Sequence, residues 1–326
     1  MMQHTRPGRR LSIIPEDSHK SRWFTLVPIS CGCMASAAAM YPMDVVRALR
    51  MASASEAAST STQQLVRSFV SAHGAIGLVR QGVAPEISRA TLMRVVQFFA
   101  YPLLHEALWS CPPSQGQSET KLVAGMLASL PSSLVITPLE NAKIALQLDH
   151  EKRFGNSTAR AAQHLWRRGV LAPYVGLQGV FLRSALSFGP YVAALPYCQS
   201  LTQPAMRRAC GDDSPAGRFL GSLLGGLLAG SLGAALNAPF DLVRTNLQKQ
   251  ALALAAGPMS TAQILRFVLS PAAYLQTARG IVAARGLGAL YMGLTFKIAH
   301  IGGTGALNAA LIPQFKRLFG VERELI

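Results

Sequence analysis

Pro42-Met43-Asp44-Val45-Val46-Arg47, Pro138-Leu139-Glu140-Asn141-Ala142-Lys143 and Pro239-Phe240-Asp241-Leu242-Val243-Arg244 share the form P-x-[DE]-x-x-[KR]. Their prolines lie 96 and 101 residues apart. With 19 prolines and 15 acidic residues in a chain of 326, composition alone predicts well under one such match, so the three copies mark an internal repeat. Each copy closes a long, weakly polar run. A proline inside a helix removes one backbone hydrogen bond and crowds the preceding turn, so Pro42, Pro138 and Pro239 should kink their helices. An acid and a base three residues apart share a helix face. Gln147 and Gln248 each follow the basic residue by one further turn, where the first copy has Met51.

The weakly polar runs number six, at about 24–50, 80–108, 120–148, 176–202, 216–250 and 293–319. Each is long enough to cross a hydrocarbon core of ~30 Å as a helix. Half of the residues are apolar and only 14% are charged, against about 25% in soluble domains. The fold class that follows is an all-α membrane protein with six transmembrane helices. Asp44, Arg89, Glu140 and Arg183 fall inside these runs, where a charge facing lipid is costly, so they should line a shared polar cavity. The net charge is +16, yet no nucleic-acid reader motif accompanies it. Basic ends facing anionic lipid, or a cavity that accepts an anion, account for that excess better. The five cysteines form no CxxC pair and read as reduced thiols, with no metal site. The glycines from Gly221 to Gly233 suit close helix packing, not a phosphate loop, because no Lys-Ser/Thr pair ends them.

A second element follows each motif: Gly74 to Gly82, Gly169 to Gly176 and Gly286 to Gly293. These glycines suit tight turns that lead a short surface helix into the next long one. Together the two elements resemble the mitochondrial carrier family, over about residues 23–319. The resemblance implies six helices in three pseudo-threefold repeats around a central cavity, with short matrix-side helices. It divides the chain into a basic tail (1–22) and repeats at 23–112, 113–210 and 211–326. It also implies a monomer in the mitochondrial inner membrane, with both termini toward the intermembrane space. No cofactor and no enzymatic activity are expected. Cardiolipin is the expected structural lipid, at the glycine turns, and the expected partner is a small anionic solute. Between neighbouring repeats the acids and bases should form a matrix gate of Asp44–Lys143, Glu140–Arg244 and Asp241–Arg47, with Gln147 and Gln248 as braces.

The even-numbered helices depart from the family. Their cytosolic ends read Tyr101-Pro102-Leu103-Leu104-His105, Leu195-Pro196-Tyr197-Cys198-Gln199 and Ile312-Pro313-Gln314-Phe315-Lys316, with proline where the family has an acid. The cytosolic ion-pair gate is therefore missing, and a cytosol-open resting state is expected. The family's contact positions, 13 residues earlier, are Arg89, Arg183 and His300. Ser184 follows Arg183, a combination that resembles carboxylate and keto-acid carriers. Guanidinium groups bind carboxylates in a planar, bidentate way. One turn earlier stand Glu86, Val180 and Lys297; Arg94 and Gln97 lie farther toward the cytosol, placed to guide the solute. The sequence thus reads as a secondary transporter of a small organic anion, a carboxylate or keto acid, working by alternating access. Its rivals are a nucleotide or amino-acid carrier of the same fold, or a non-transporting membrane adaptor. Residues 251–277 carry an insertion on the matrix side, with no inferable role.

Overall fold

The computed structural model describes residues 26–53, 64, 67–68, 70–71, 83–147, 157–211, 214–254, 271–291 and 293–320; within these, nothing is described of the side chains of Arg47, Glu86, Lys143 and Gln147. All regular structure among the described residues is helical. The long helices are α1 (Leu26–Ser53), α2 (Val83–Trp109), α3 (Ser118–Gln147), α5 (Leu177–Cys210) and α6 (Pro215–Leu254). The last is a composite: α8 (Leu294–Lys297), a π-turn (Ile298–Gly302) and α9 (Gly303–Leu318). Two short helices, α4 (Thr158–Arg167) and α7 (Pro271–Arg285), lie between long ones. The six runs read from sequence fall on the six long elements, with ends shifted by a few residues.

Each long helix touches the next, and α9 returns to α1, so the six close into a ring. Pro42, Pro138 and Pro239 lie inside α1, α3 and α6 as expected. We call the end of the ring where α1 begins and α9 finishes the terminal end, and the opposite one the motif end. Three helical stretches are apolar enough to cross a membrane by themselves: Leu26–Asp44, Ser118–Ala142 and Pro215–Gln248. They are the helices that carry the repeated motif. A further candidate, α7 with the rod that ends at Leu318, bends by 113° and is better read as a surface helix leading into a span.

The short helices show why the second sequence element recurs. Gly176 and Gly293 both cap the start of a long helix in the left-handed region, at φ 76° and 78°, each after a 3-10 turn. Glycine adopts that backbone without the Cβ clash that other residues suffer. The helix α4 starts at Ser157, whose Oγ accepts from the Arg160 amide, and buries Ala161 and Leu165 against Ala142 of α3. In repeat three, Tyr274 of α7 donates to the Phe240 carbonyl at 2.6 Å. The copy at Gly74–Gly82 lies outside the described residues. The insertion of repeat three is described only at its edges, where α6 runs on to Leu254 and α7 starts at Pro271.

The glycine-rich stretch of α6 lets three helices approach closely. Gly226 and Gly230 face Gly305 and Gly302 of the last rod, while Gly221 and Gly225 face Gln203 and Gln199 of α5. A Cβ at position 226 would lie 2.6 Å from the Ala309 Cβ and 2.6 Å from the Gly305 carbonyl oxygen. Gly226→Val should therefore destabilise the fold by about 1–3 kcal/mol or more, because overpacking forces backbone shifts. Thermal melting in mild detergent checks this, beside Leu318→Val at an exposed position that should melt like the wild type.

Candidate functional site

The charges of the motif meet just past Pro138 of α3 and Pro239 of α6. Glu140 is buried and accepts from three guanidinium groups. Arg89 Nη1 reaches its Oε1 at 3.0 Å and Arg183 Nη2 the same oxygen at 3.3 Å. Arg244 Nη1 forms a short contact with Oε2. Asp241, also buried, sits beside this cluster. Its Oδ1 lies 3.4 Å from Arg244 Nη2 and 3.6 Å from Arg183 Nε, and its Oδ2 accepts from Lys297 Nζ at 3.0 Å. Lys297 also donates to the Asn237 carbonyl at 3.4 Å. On the far side Asp44 Oδ1 lies 3.6 Å from His300 Nε2. One lattice of charge thus joins α2, α3, α5, α6 and α8.

The arrangement adds cavity residues to the gate that the family resemblance implied. Of the three expected gate pairs, Glu140–Arg244 is formed. The bases of the other two, Lys143 and Arg47, have no described side chain. Among the described side chains their acids engage cavity residues: Asp241 pairs with Lys297 and Arg183, Asp44 with His300. The residues assigned to the solute and those assigned to the gate are therefore one network. The reason is reach. Arginine and lysine extend far enough from the even helices to meet the acids at the kinks, and buried carboxylates must be paired.

Gln248 also departs from expectation. Its Nε2 donates to Asn141 Oδ1 at 3.0 Å and to neither member of the ion pair. Asn141 in turn donates to the Pro173 and Val175 carbonyls, both at 2.8 Å. The brace thus pins the 3-10 turn before α5 to α3 and α6. The other brace, Gln147, and the cavity residue Glu86 fall outside the described side chains.

Above the lattice, toward the terminal end, lies a cavity with about 80 Å³ of free space. Arg89, Arg183, Ser184 and His300 line it, as the equal offsets predicted, together with Arg94, Gln97 and Asn237. Lys297 is buried below it, against Asp241. His300 sits inside the π-turn, while Arg89 and Arg183 sit on α-helix. The wider turn inserts an extra residue into the helix, and such insertions recur at functional sites. Nothing in the sequence marks it except the neighbouring Gly302 and Gly303.

Farther toward the terminal end, an apolar cluster draws on all six long elements: Ile29 and Cys33, Phe98 and Tyr101, Ala124 and Ala128, Phe188 and Leu195, Ala229, and Ala309 and Ile312. Phe98 and Tyr101 meet the Phe188 ring edge-on, with centroids 5.2 and 6.1 Å away. This cluster adjoins the cavity through Cys33 and Phe188, on the side where the even helices carry proline in place of the family's acid. His105, at a family base position, instead holds the turn between α2 and α3 through the Cys111 carbonyl at 2.9 Å and Thr120 Oγ1 at 3.0 Å.

The family model described as "Mitochondrial carrier protein" matches residues 21–110, 115–205 and 216–323. The chain belongs to the mitochondrial carrier family. Its similarity to individual carriers is low. It is 25% identical to a mouse mitochondrial 2-oxodicarboxylate carrier over 280 residues, 82% of this chain and 85% of that protein. Identity is 27% over 211 residues to the mitochondrial arginine transporter BAC2 of Arabidopsis thaliana, covering 64% and 68%. It is 24% over 230 residues to a mitoferrin of Dictyostelium discoideum, covering 70% and 72%. These relatives are named for chemically different cargoes, so membership fixes a transporter family and a threefold-repeated membrane fold, not a cargo.

The lattice predicts an asymmetric response to neutralisation. Glu140→Gln leaves three guanidinium groups, that of Arg244 buried and those of Arg89 and Arg183 half-buried, without their shared carboxylate. Removing one partner of a buried pair costs about 3–5 kcal/mol. The variant should melt well below the wild type in detergent, and Arg244→Gln, which leaves Glu140 with two arginines, should lose less.

Proposed function

We propose that this carrier moves a small organic anion, a carboxylate or keto acid, across the mitochondrial inner membrane by alternating access. The observation that carries the reading is the shared use of Glu140. Arg89 and Arg183, two of the three arginines that line the cavity, hold an internal carboxylate that also belongs to the motif-end gate. A carboxylate arriving in the cavity offers them the same chemistry. It would draw both arginines off Glu140 and leave that acid with Arg244 alone. A buried ion pair loses much of its Coulomb gain to desolvation, so a network stripped of two of its three cations is close to opening. Ser184 and His300 would add hydrogen bonds to the solute, and Lys297 with Asp241 would hold the neighbouring repeat until the gate parts.

In this reading the motif end faces the matrix and the terminal end faces the intermembrane space, where the aromatic cluster acts as the opposing closure. Cardiolipin would sit at the turns that start α5 and α8, where free amides and the positive helix end attract phosphate. Three arginines, Arg207, Arg218 and Arg317, line a second hollow of about 300 Å³ at the terminal end, and such a basic mouth would steer anions inward. The protein would work as a monomer and perform no covalent chemistry.

Reconstitution tests the reading. Purified protein in cardiolipin-containing liposomes should take up carboxylates, and Arg183→Ala should remove most of that uptake. Losing a charge-assisted hydrogen bond to a ligand costs about 1.5–3 kcal/mol, or a fall of at least about tenfold. Uptake of nucleotides or amino acids alone would replace the cargo. No uptake of any solute by folded, lipid-bound protein would favour a membrane adaptor.

A further inference from the structure

Every described cation of the charge lattice has a carboxylate within ion-pair distance: Arg89, Arg183, Arg244, Lys297 and, if protonated, His300. Arg94 is different. It lines the central cavity, yet no described hydrogen bond or ion pair engages it. Its electrostatic neighbours are Cys33, Tyr191 and another cation, Arg89. A cation at membrane depth with no counter-charge is costly, and such residues mark solute paths. Two polar atoms on the same cavity wall, Ser184 Oγ and Gln97 Oε1, are buried and also lack a hydrogen-bond partner.

Charge accounting points the same way. In the cavity and the lattice beneath it, Arg89, Arg94, Arg183, Arg244 and Lys297 face Asp44, Glu140 and Asp241, which leaves two positive charges with His300 neutral. Arg47, Lys143 and Glu86 would add to that excess, not remove it. A single carboxylate would neutralise only half of it. Arg94 follows Arg89 by five residues on α2, about 7.5 Å of helix rise toward the terminal end. That separation suits two carboxylates on a short carbon chain better than the clustered charges of one phosphate.

We propose that Arg94 is a second anion anchor, so that the carried solute is a dicarboxylate held between Arg94 and the Arg89–Arg183 pair. This rests on the reading that organic anions pass through this cavity. Arg94 would take the carboxylate nearer the terminal end, with Ser184 and Gln97 supplying hydrogen bonds there. The other carboxylate would compete with Glu140.

Glutarate and valerate share a carbon chain and differ by one carboxylate, which makes them the probes. Wild-type protein in liposomes should take up glutarate well ahead of valerate. In Arg94→Gln that advantage should shrink by about tenfold or more, the size of a lost charge-assisted contact. Arg94→Lys should keep part of it. A preference kept in full by Arg94→Gln overturns the proposal, as does a wild type that takes up both equally. In case the glutamine variant folds poorly, the wild type supplies a second measurement: glutarate should raise its melting temperature in detergent more than valerate does, and equal shifts count against the second anchor. A wild type that moves neither acid contradicts the carrier reading itself and is thereby distinguished from a failure at Arg94.

Discussion

Glu140 is held by three arginines from three different helices, and the rest of the molecule is organised around keeping that carboxylate paired. At this depth a lone buried charge is costly, so each acid of the motif must find cations. Arg183 and Arg244 are shared by Glu140 of α3 and Asp241 of α6, each two residues past a proline. The even helices then supply cations long enough to reach them. A ring of six helices satisfies this constraint where a single span cannot.

Because the same arginines face the cavity and hold Glu140, the proposed function makes binding and gating inseparable. In that reading a solute carboxylate and Glu140 would compete for one pair of guanidinium groups. The competition would give the solute a differential interaction with closed and open states, without which it could not shift their populations. The two ends of the ring are held by different physics. The motif end has ion pairs, whose strength depends on what else binds the arginines. The terminal end has aromatic and aliphatic burial, which does not depend on charge. In the proposed function the cargo would address the first directly and the second only through movement of the helices.

Much of this was legible in the sequence. The three P-x-[DE]-x-x-[KR] copies revealed the repeat, the kinks and the acids, and the glycine turns at Gly176 and Gly293 followed from their repeated spacing. The positions of Arg89, Arg183 and His300 around one cavity came from their equal offsets along the even helices. Of the partners of the acids, Arg244 on Glu140 was legible and the cavity residues were not. Spacing tells which face a side chain occupies, but not how far a lysine or arginine from another helix will reach, so Lys297 was expected beside the solute and is found on Asp241. Gln248 was expected over an ion pair and bonds Asn141, because a buried amide goes to the nearest unsatisfied carbonyl oxygen whatever its motif. The π-turn around His300 leaves no periodic signature in so short a stretch. The aromatic cluster was missed because Phe98, Tyr101 and Phe188 look like ordinary apolar residues of two separate runs until the ring brings them together.

The central claim is that a carboxylate in the cavity loosens the motif-end network. The direct measurement places spin labels at the motif-side ends of α3 and α6, beyond Lys143 and Arg244, and reads their separation by electron–electron dipolar spectroscopy in lipid nanodiscs, with and without a transported anion. The account predicts a single short distance in the empty protein and a second, longer population when the anion is added, with the longer population absent in Arg183→Ala. An unchanged distance distribution in protein that is transporting the same anion would contradict it.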